Sequence, residues 1–290
     1  MRADQLLLQR NIASSRSQAQ RLIASGVRWR AGASFSWKTI VKNSDELPHD
    51  AEFDLQDASE AKYVSRGGLK LEAALKAAGL VVEGKLCLDV GQSTGGFTDC
   101  LLQHGARQVV GVDVGSGQLH PSLREHPQVV ALENVNARHL DAQVLGEAIL
   151  IAAYATTAST DGMNSSEHLQ EQPQTATDDD EADEQCPNTQ FDLIVGDLSF
   201  ISQTLVLPAL VPFLKPGADL LMLVKPQFEL QPGQVGKGGI VKDATLYPFV
   251  EQRIRTCCEE LGLKVVGWFD SPITGGDGNR EFFVHAIHSS

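Results

Sequence analysis

The sequence predicts an α/β architecture, a central sheet with helices on both faces, preceded by a small α+β unit. Three observations carry this. Strands and helices alternate from Gly68 onward, the first of those strands runs into a glycine turn at "DVGQSTGGF", and the opening 43 residues are basic and separately patterned.

In the opening unit, "RADQLLLQRN" is a short helix carrying Leu6, Leu7 and Leu8, and Asn11 breaks its pattern. A second helix follows, capped by Ser14 or Ser15, with Ala19, Leu22 and Ile23 on one face. Gly26 ends it, and "VRWRAGASFSW" reads as a hairpin with Gly32 near its turn. Met1 to Asn43 holds eight Lys and Arg against Asp4 alone, a net of +7 in a chain of formal charge −13. The acidity lies elsewhere: nine Asp and Glu, with no Lys or Arg, fall between Ile151 and Gln190. That segment has no apolar period, and residues 152–190 read as a disordered surface insert. A basic head can meet phosphate; a solvated charged face is the plain alternative.

Residues 61–66 read as a linker and 67–290 as the larger domain. "LKLEAALKAAG" is a helix ahead of the first strand. "KLCLDVG", "QVVGVDVG" and "QVVALEN" supply three strands, "FDLIVGDLSF" and "ADLLMLVKPQFE" two more, and "LKVVGWFDSPI" and "REFFVHAIHS" close the sheet at seven. A chain of 290 residues accommodates a large domain plus a small one. It has no run of about 18 apolar residues and no secretion-type apolar core near its start, so a soluble cytoplasmic protein without a membrane partner is expected. Cys87, Cys100, Cys186, Cys257 and Cys258 form no CxxC pair, which suggests neither a zinc site nor a disulfide framework.

The glycine turn runs Gly91, Gln92, Ser93, Thr94, Gly95, Gly96, with a helix starting near Phe97. A dinucleotide fingerprint wants glycine where Ser93 stands, and the phosphate-loop ending GK[ST] is absent. What remains is a strand ending in Asp89 and a turn that a nucleoside can approach without a diphosphate. The second strand ends in Asp113, followed by Val114, and a carboxylate there can accept from both ribose hydroxyls. Asn136, Ala137 and Arg138 follow the third strand, where an adenine edge or an RNA backbone is expected. These features suit S-adenosylmethionine; an ordinary tight strand-to-helix connection is the alternative.

Asp197 and Lys225 stand at the carboxyl ends of adjacent strands, the edge at which open α/β sheets bind ligands. Lys70 in "SRGGLK" and Glu281 in "GNREFFV" complete an ordered set of four, and "QPGQVGKGGIVKD" puts glycines around Lys237 in a loop near the same edge.

"SRSQAQRLIASGVRWRAG", with the layout around it, resembles the small S-four-type (αL-motif) RNA-binding module over residues 1–60. That resemblance implies RNA contacts at Arg2, Arg16, Arg21, Arg28 and Arg30. "YVSRGGLKL", "DVGQSTGGFTDCLL", "DVGSGQL", "GDLSFIS", "VKPQFE" and "VGKGGIV", in that order, resemble the FtsJ-like ribose 2′-O-methyltransferases. With the basic head attached, the chain resembles the TlyA (hemolysin A) family of ribosomal RNA methyltransferases. The resemblance implies a Rossmann-like, seven-stranded, S-adenosylmethionine-dependent domain with Lys70, Asp197, Lys225 and Glu281 as a catalytic tetrad. It implies cofactor contacts at Asp89, Gly91, Ser93, Thr94, Gly95, Gly96, Phe97, Asp113, Val114, Asn136 and Ala137, and further RNA contacts at Arg66, Arg138 and Lys237. The implied reaction methylates a ribose 2′-hydroxyl, of cytidine, in ribosomal RNA within ribosomal subunits, with neither DNA nor metal involved. Lys225 accepts or guides the hydroxyl proton and Asp197 orients that lysine. "DLSF", in place of an acid or amide followed by Pro-Pro and an aromatic, favours a ribose over a base amino group. Two other classes compete. The intact set of four speaks against a non-catalytic RNA-binding or assembly factor, and the lack of a spanning segment or long basic amphipathic helix speaks against a membrane-lytic protein.

Overall fold

The structure is a computed structural model and describes residues 1–56, 61–147, 149–150 and 189–289. The expected acidic insert therefore lies, but for its last two residues, outside the described residues.

The opening unit comprises α1 (Ala3–Gln9), α2 (Arg16–Gly26), β1 (Val27–Arg30), β2 (Lys38–Thr39) and β3 (Glu52–Leu55). Ser15 is the cap of α2, its hydroxyl accepting from the Gln18 amide. Leu6, Leu7, Leu22, Ile23, Val27 and Ile40 form its core. β1 pairs antiparallel with both other strands, so the expected hairpin is one side of a three-stranded sheet in the order β2-β1-β3. β3, "EFDL", is too short for its alternation to stand out in the sequence. Its acids matter, because pairing sets Asp54 beside Arg28 and Glu52 beside Arg30. Over residues 1–60 eight basic side chains meet eight acidic ones, so the net +7 of the first 43 residues does not describe the folded unit.

The larger domain runs α3 (Arg66–Ala78), β4 (Leu86–Val90), α4 (Gly96–Gln103), β5 (Gln108–Asp113), α5 (Pro121–Arg124), β6 (Val129–Glu133), β7 (Phe191–Gly196), β8 (Leu214–Val224), α6 (Tyr247–Glu260), β9 (Leu263–Asp270) and β10 (Phe282–His288). The seven strands lie in the order β6-β5-β4-β7-β8-β10-β9, with β10 antiparallel to both neighbours and β6 through β8 paired in parallel. Successive side chains of a strand face opposite sides. Accordingly Leu88, Ile194 and Met222 pack with Val250 and Ile254 of α6, while Cys87, Leu193 and Leu221 pack with Leu71 and Leu75 of α3 and Leu101 of α4. The chain moves from β4 outward to β5 and β6, then returns to place β7 on the other side of β4. That reversal opens a crevice outside the carboxyl ends of β4 and β7, where this topology binds ligands.

Residues 61–66, expected as a linker, are packed into place. Tyr63 is 2% exposed and belongs to the core under α3 and α4. The Val64 amide donates to Asp99 Oδ2 at 2.8 Å, and from the opening unit Gln18 donates to the Tyr63 carbonyl and Ser14 to the Val64 carbonyl, each at 3.1 Å. This fit needs Gly68, whose Cβ would stand 2.3 Å from Tyr63 Cγ. Gly68→Ala is therefore expected to destabilise the chain by about 1–3 kcal/mol through overpacking. Thermal unfolding should show a midpoint several degrees lower, with Gly233→Ala, in open space, as the unchanged control. Equal midpoints for both variants would mean that Tyr63 can move aside freely.

Candidate active site

The crevice begins where β4 ends. Gly91 turns with φ of 84°, and a Cβ there would stand 2.8 Å from the Asp197 carbonyl, so the turn lies directly against the residue that follows β7. Ser93, also at positive φ, donates its amide to Asp113 Oδ2 at 2.8 Å, and Gly115 donates to Asp113 Oδ1 at 2.7 Å. Two backbone donors thus fix the carboxylate at the end of β5, and both oxygens keep further acceptor capacity. A cavity of about 470 Å³ has Gly91, Ser93, Asp113, Val114, Asn136 and Ala137 on one side and Leu198 to Ile201 on the other. A smaller one, about 170 Å³, continues along the turn past Ser93, Thr94, Gly96 and Phe97 to Asp197 and Lys225.

Two residues expected at this surface lie elsewhere. Gly95 caps α4 with φ of 92°, and its Cβ would collide with Leu119 and Leu123, so its role is close packing behind the turn. Asp89 is fully buried beneath the turn and lines neither cavity. It accepts from Thr98 Oγ1 at 2.7 Å, and Thr98 in turn accepts from Gln92 Nε2 at 2.9 Å, so it braces the turn from below. Its Oδ1 has no hydrogen-bond partner among the described residues.

The sheet edge gathers the set of four. Asp197 follows β7 and Lys225 follows β8, on neighbouring strands. Lys225 Nζ lies 2.6 Å from Asp197 Oδ1, an ion contact outside hydrogen-bond alignment, and donates to Ser199 Oγ at 2.7 Å. Lys70 of α3 reaches Glu281, just ahead of β10, with Nζ 2.5 Å from Oε2, and both are buried. Burial pushes the Glu281 carboxyl up, while Lys70 and then Lys225 pull it down and Asp197 adds to the rise. The four therefore form two ion pairs that sense each other's charge.

A third cavity, about 370 Å³, adjoins Lys225 and Glu281 and is walled by Phe200, Phe228, Gly239 and Gly276. Phe200 is 91% exposed, its backbone sits at φ of 64°, and its ring centroid is 5.2 Å from that of Phe228. Sequence reasoning passed over Phe200; its signal was a large aromatic in the short polar turn after a strand. A strained, exposed aromatic is costly unless something covers it.

The arginines expected to meet RNA are mostly engaged within the protein. Arg2 and Arg16 both bind the buried Asp4, holding its carboxyl down to about 2, with the Arg2 hydrogen bond the largest cause. Arg28 pairs with Asp54 and Arg30 with Glu52, and Arg30 also covers the Trp37 ring at 4.6 Å. Their side chains remain partly exposed, Arg16 most of all. Arg21 and Arg66 line a cleft of about 530 Å³ between the opening unit and the larger domain. Arg138 is exposed after β6, and Lys237 is exposed beside the glycines of the third cavity. No group of His, Cys, Asp and Glu able to hold a metal ion occurs among the described residues.

Residues 63–287 match the FtsJ-like methyltransferase family. The chain belongs to that family. Among relatives of this FtsJ-like chain, the 16S/23S rRNA (cytidine-2′-O)-methyltransferase TlyA of Mycobacterium tuberculosis is 39% identical over 98% of this chain and 88% of its own. Hemolysin A of Brachyspira hyodysenteriae is 33% identical over 99% of this chain and 100% of its own. A solved structure from Streptococcus thermophilus that carries a hemolysin name superposes with a TM-score of 0.65 at 32% identity, covering 100% of this chain and 89% of that one. No helix among the described residues is long and apolar enough to cross a membrane.

Burial pushes the Asp89 carboxyl up to about 7, against the pull of the Thr98 hydroxyl. The native chain thus keeps a proton that the unfolded chain loses near pH 4. A raised carboxyl pKa makes stability fall as pH rises from about 4 to about 7 and level off above it. Asp89→Asn should lack that fall and gain stability over wild type at pH 8 relative to pH 5 by ~3 kcal/mol in the cofactor-free chain. Urea unfolding at both pH values checks this, and parallel behaviour of the two proteins would refute it.

Proposed function

We propose that this FtsJ-like methyltransferase transfers a methyl group from S-adenosylmethionine to the 2′-hydroxyl of a cytidine ribose in ribosomal RNA. The observation that carries the reading is the position of Lys225, held by Asp197 and Ser199 where the small cavity along the glycine turn meets a second cavity faced by an exposed aromatic. The activity in the name of the Mycobacterium tuberculosis relative, aligned over nearly the whole chain, supports the acceptor.

The residues present fit the methyl donor. Gly91 lets the turn lie against the Asp197 backbone while it lines both cofactor-side cavities, and Ser93 stands where a dinucleotide turn needs glycine. Asp113 would hold the ribose hydroxyls, Asn136 and Ala137 the base, and Ser93, Thr94 and Gly96 the amino-acid end. When bound, the donor supplies an electrophilic methyl on a sulfonium.

The chain's own residues then have three tasks. Phe200, backed by Phe228, offers a face on which the acceptor base can stack, which directs the ribose toward Lys225. Asp197 and Ser199 hold the Lys225 ammonium at a fixed place, where it donates to the 2′-oxygen and orients it for attack while the hydroxyl proton passes to solvent water. Lys70 and Glu281, paired and buried, set the field around Lys225 and hold α3 against the start of β10. Alignment supplies much of the acceleration in a displacement of this kind. Arg21 and Arg66, which line the interdomain cleft, and the exposed Arg16, Arg138 and Lys237 would meet flanking phosphates.

The test is transfer of labelled methyl from S-adenosylmethionine to isolated ribosomal subunits, followed by nucleoside analysis by mass. Expected is 2′-O-methylcytidine, lost by at least ~100-fold in Lys225→Ala while cofactor affinity stays within a few-fold. Methyl on a base, or near-normal turnover in Lys225→Ala, would overturn the reading.

A further inference from the structure

We propose that Asn279 is a positioning residue that builds the wall of the acceptor cavity farthest from the cofactor. The inference rests on the function proposed above and names a determinant of the same site.

Asn279 is 2% exposed, and its amide joins two loops. Its Nδ2 donates to the Gly239 carbonyl and to Asp277 Oδ2, both at 2.8 Å, and its Oδ1 accepts from the Val241 amide at 2.9 Å. Its own backbone amide donates to Asp277 Oδ1 at 2.9 Å, and its carbonyl accepts from Gly275 at 2.8 Å. Asp277 is held in addition by Gln227 Nε2 at 3.1 Å, two residues beyond Lys225. One buried side chain thus ties the loop at 238–241 to the loop at 275–279 and, through Asp277, to the turn that carries Lys225.

These are the loops that wall the third cavity, through Gly238, Gly239, Gly276 and Asp277. None of them lines either cavity on the cofactor side. Gly238 and Gly239 both sit at positive φ, where a glycine backbone has other conformations within easy reach. The bonds from Asn279 choose one of them. An amide suits the task because it donates to two acceptors and accepts from one donor at once, and all three partners are present. A cavity wall displaced by about 1 Å can cost a reaction of this kind ~100-fold.

Asn279→Asp keeps the shape and the acceptor for Val241 but replaces the donor with an oxygen facing a carbonyl and a carboxylate. Asn279→Ala removes both functions. In full-length protein, with S-adenosylmethionine binding measured by calorimetry and methyl transfer measured on ribosomal subunits, both variants should bind the cofactor within about threefold of wild type. Each should lose tenfold or more in kcat/KM for the subunit. Hydrogen exchange adds a readout that general loosening would not reproduce: the Val241 amide should exchange faster in Asn279→Ala and stay protected in Asn279→Asp. Wild-type kcat/KM in both variants, or a cofactor affinity that falls in step with kcat/KM, would overturn the assignment. A wild-type chain that binds cofactor yet methylates neither subunit would overturn the function and this inference together, whereas an active wild type with unaffected variants would overturn the inference alone.

Discussion

The buried contact between Lys70 and Glu281 is the constraint on which the site depends. The two residues are 211 positions apart, and their pairing fastens α3, which precedes the sheet, to the last strand's approach. Two charges hidden together are tolerable; either one alone leaves an uncompensated ion, at a cost of about 3–5 kcal/mol. Because Lys225 and Asp197 act on the same Glu281 carboxyl, the field at this sheet edge is set by a balance of four charges. The glycine at 96 serves that balance from a distance, since a Cβ there would meet Ser65 and the backbone of Gly67 and Gly68, and its absence lets α4 start against the first turn of α3, the helix that carries Lys70.

The division of space at the sheet edge follows from strand order. β4 and β5 present Gly91 and Asp113 to one cavity, whereas β8 and the segment before β10 present Lys225 and Glu281 to another. The short turn after β7 belongs to both, with Ser199 and Phe200 facing each. Glu229 latches this turn, accepting from Ser202 Oγ at 2.5 Å and the Gln203 amide at 2.7 Å. The wall between the two cavities is therefore anchored in the interior.

Much of this was legible in the sequence because it depends on local pattern. Apolar runs closing in a charged residue placed Asp197 and Lys225 at strand ends, and the glycines at 91, 95 and 96 marked the turn from β4 into α4. What escaped depends on partners distant in sequence. Nothing near Arg28 or Arg30 announces Asp54 and Glu52, which sit in a four-residue strand beyond a long connection. Asp89 lies within a strand, and only the packing of α4 over the turn turns it from a surface ligand into a brace. Tyr63 looked like linker because its burial depends on a missing Cβ at Gly68. Phe200 and Asn279 carry no periodic signal; their importance comes from where loops meet.

The carboxylates that hold Arg2, Arg16, Arg28 and Arg30 bear on how the protein experiences ionic strength. Nucleic-acid binding usually gains from small ions set free when a bare cation meets phosphate. An arginine that already faces a carboxylate must give up that partner to reach phosphate, so the gain from ions released by the nucleic acid is offset by a broken internal pair. Any polyanion approaching this face would meet fewer bare cations than the count of arginines in the sequence suggests, because internal carboxylates already fix four of them in place.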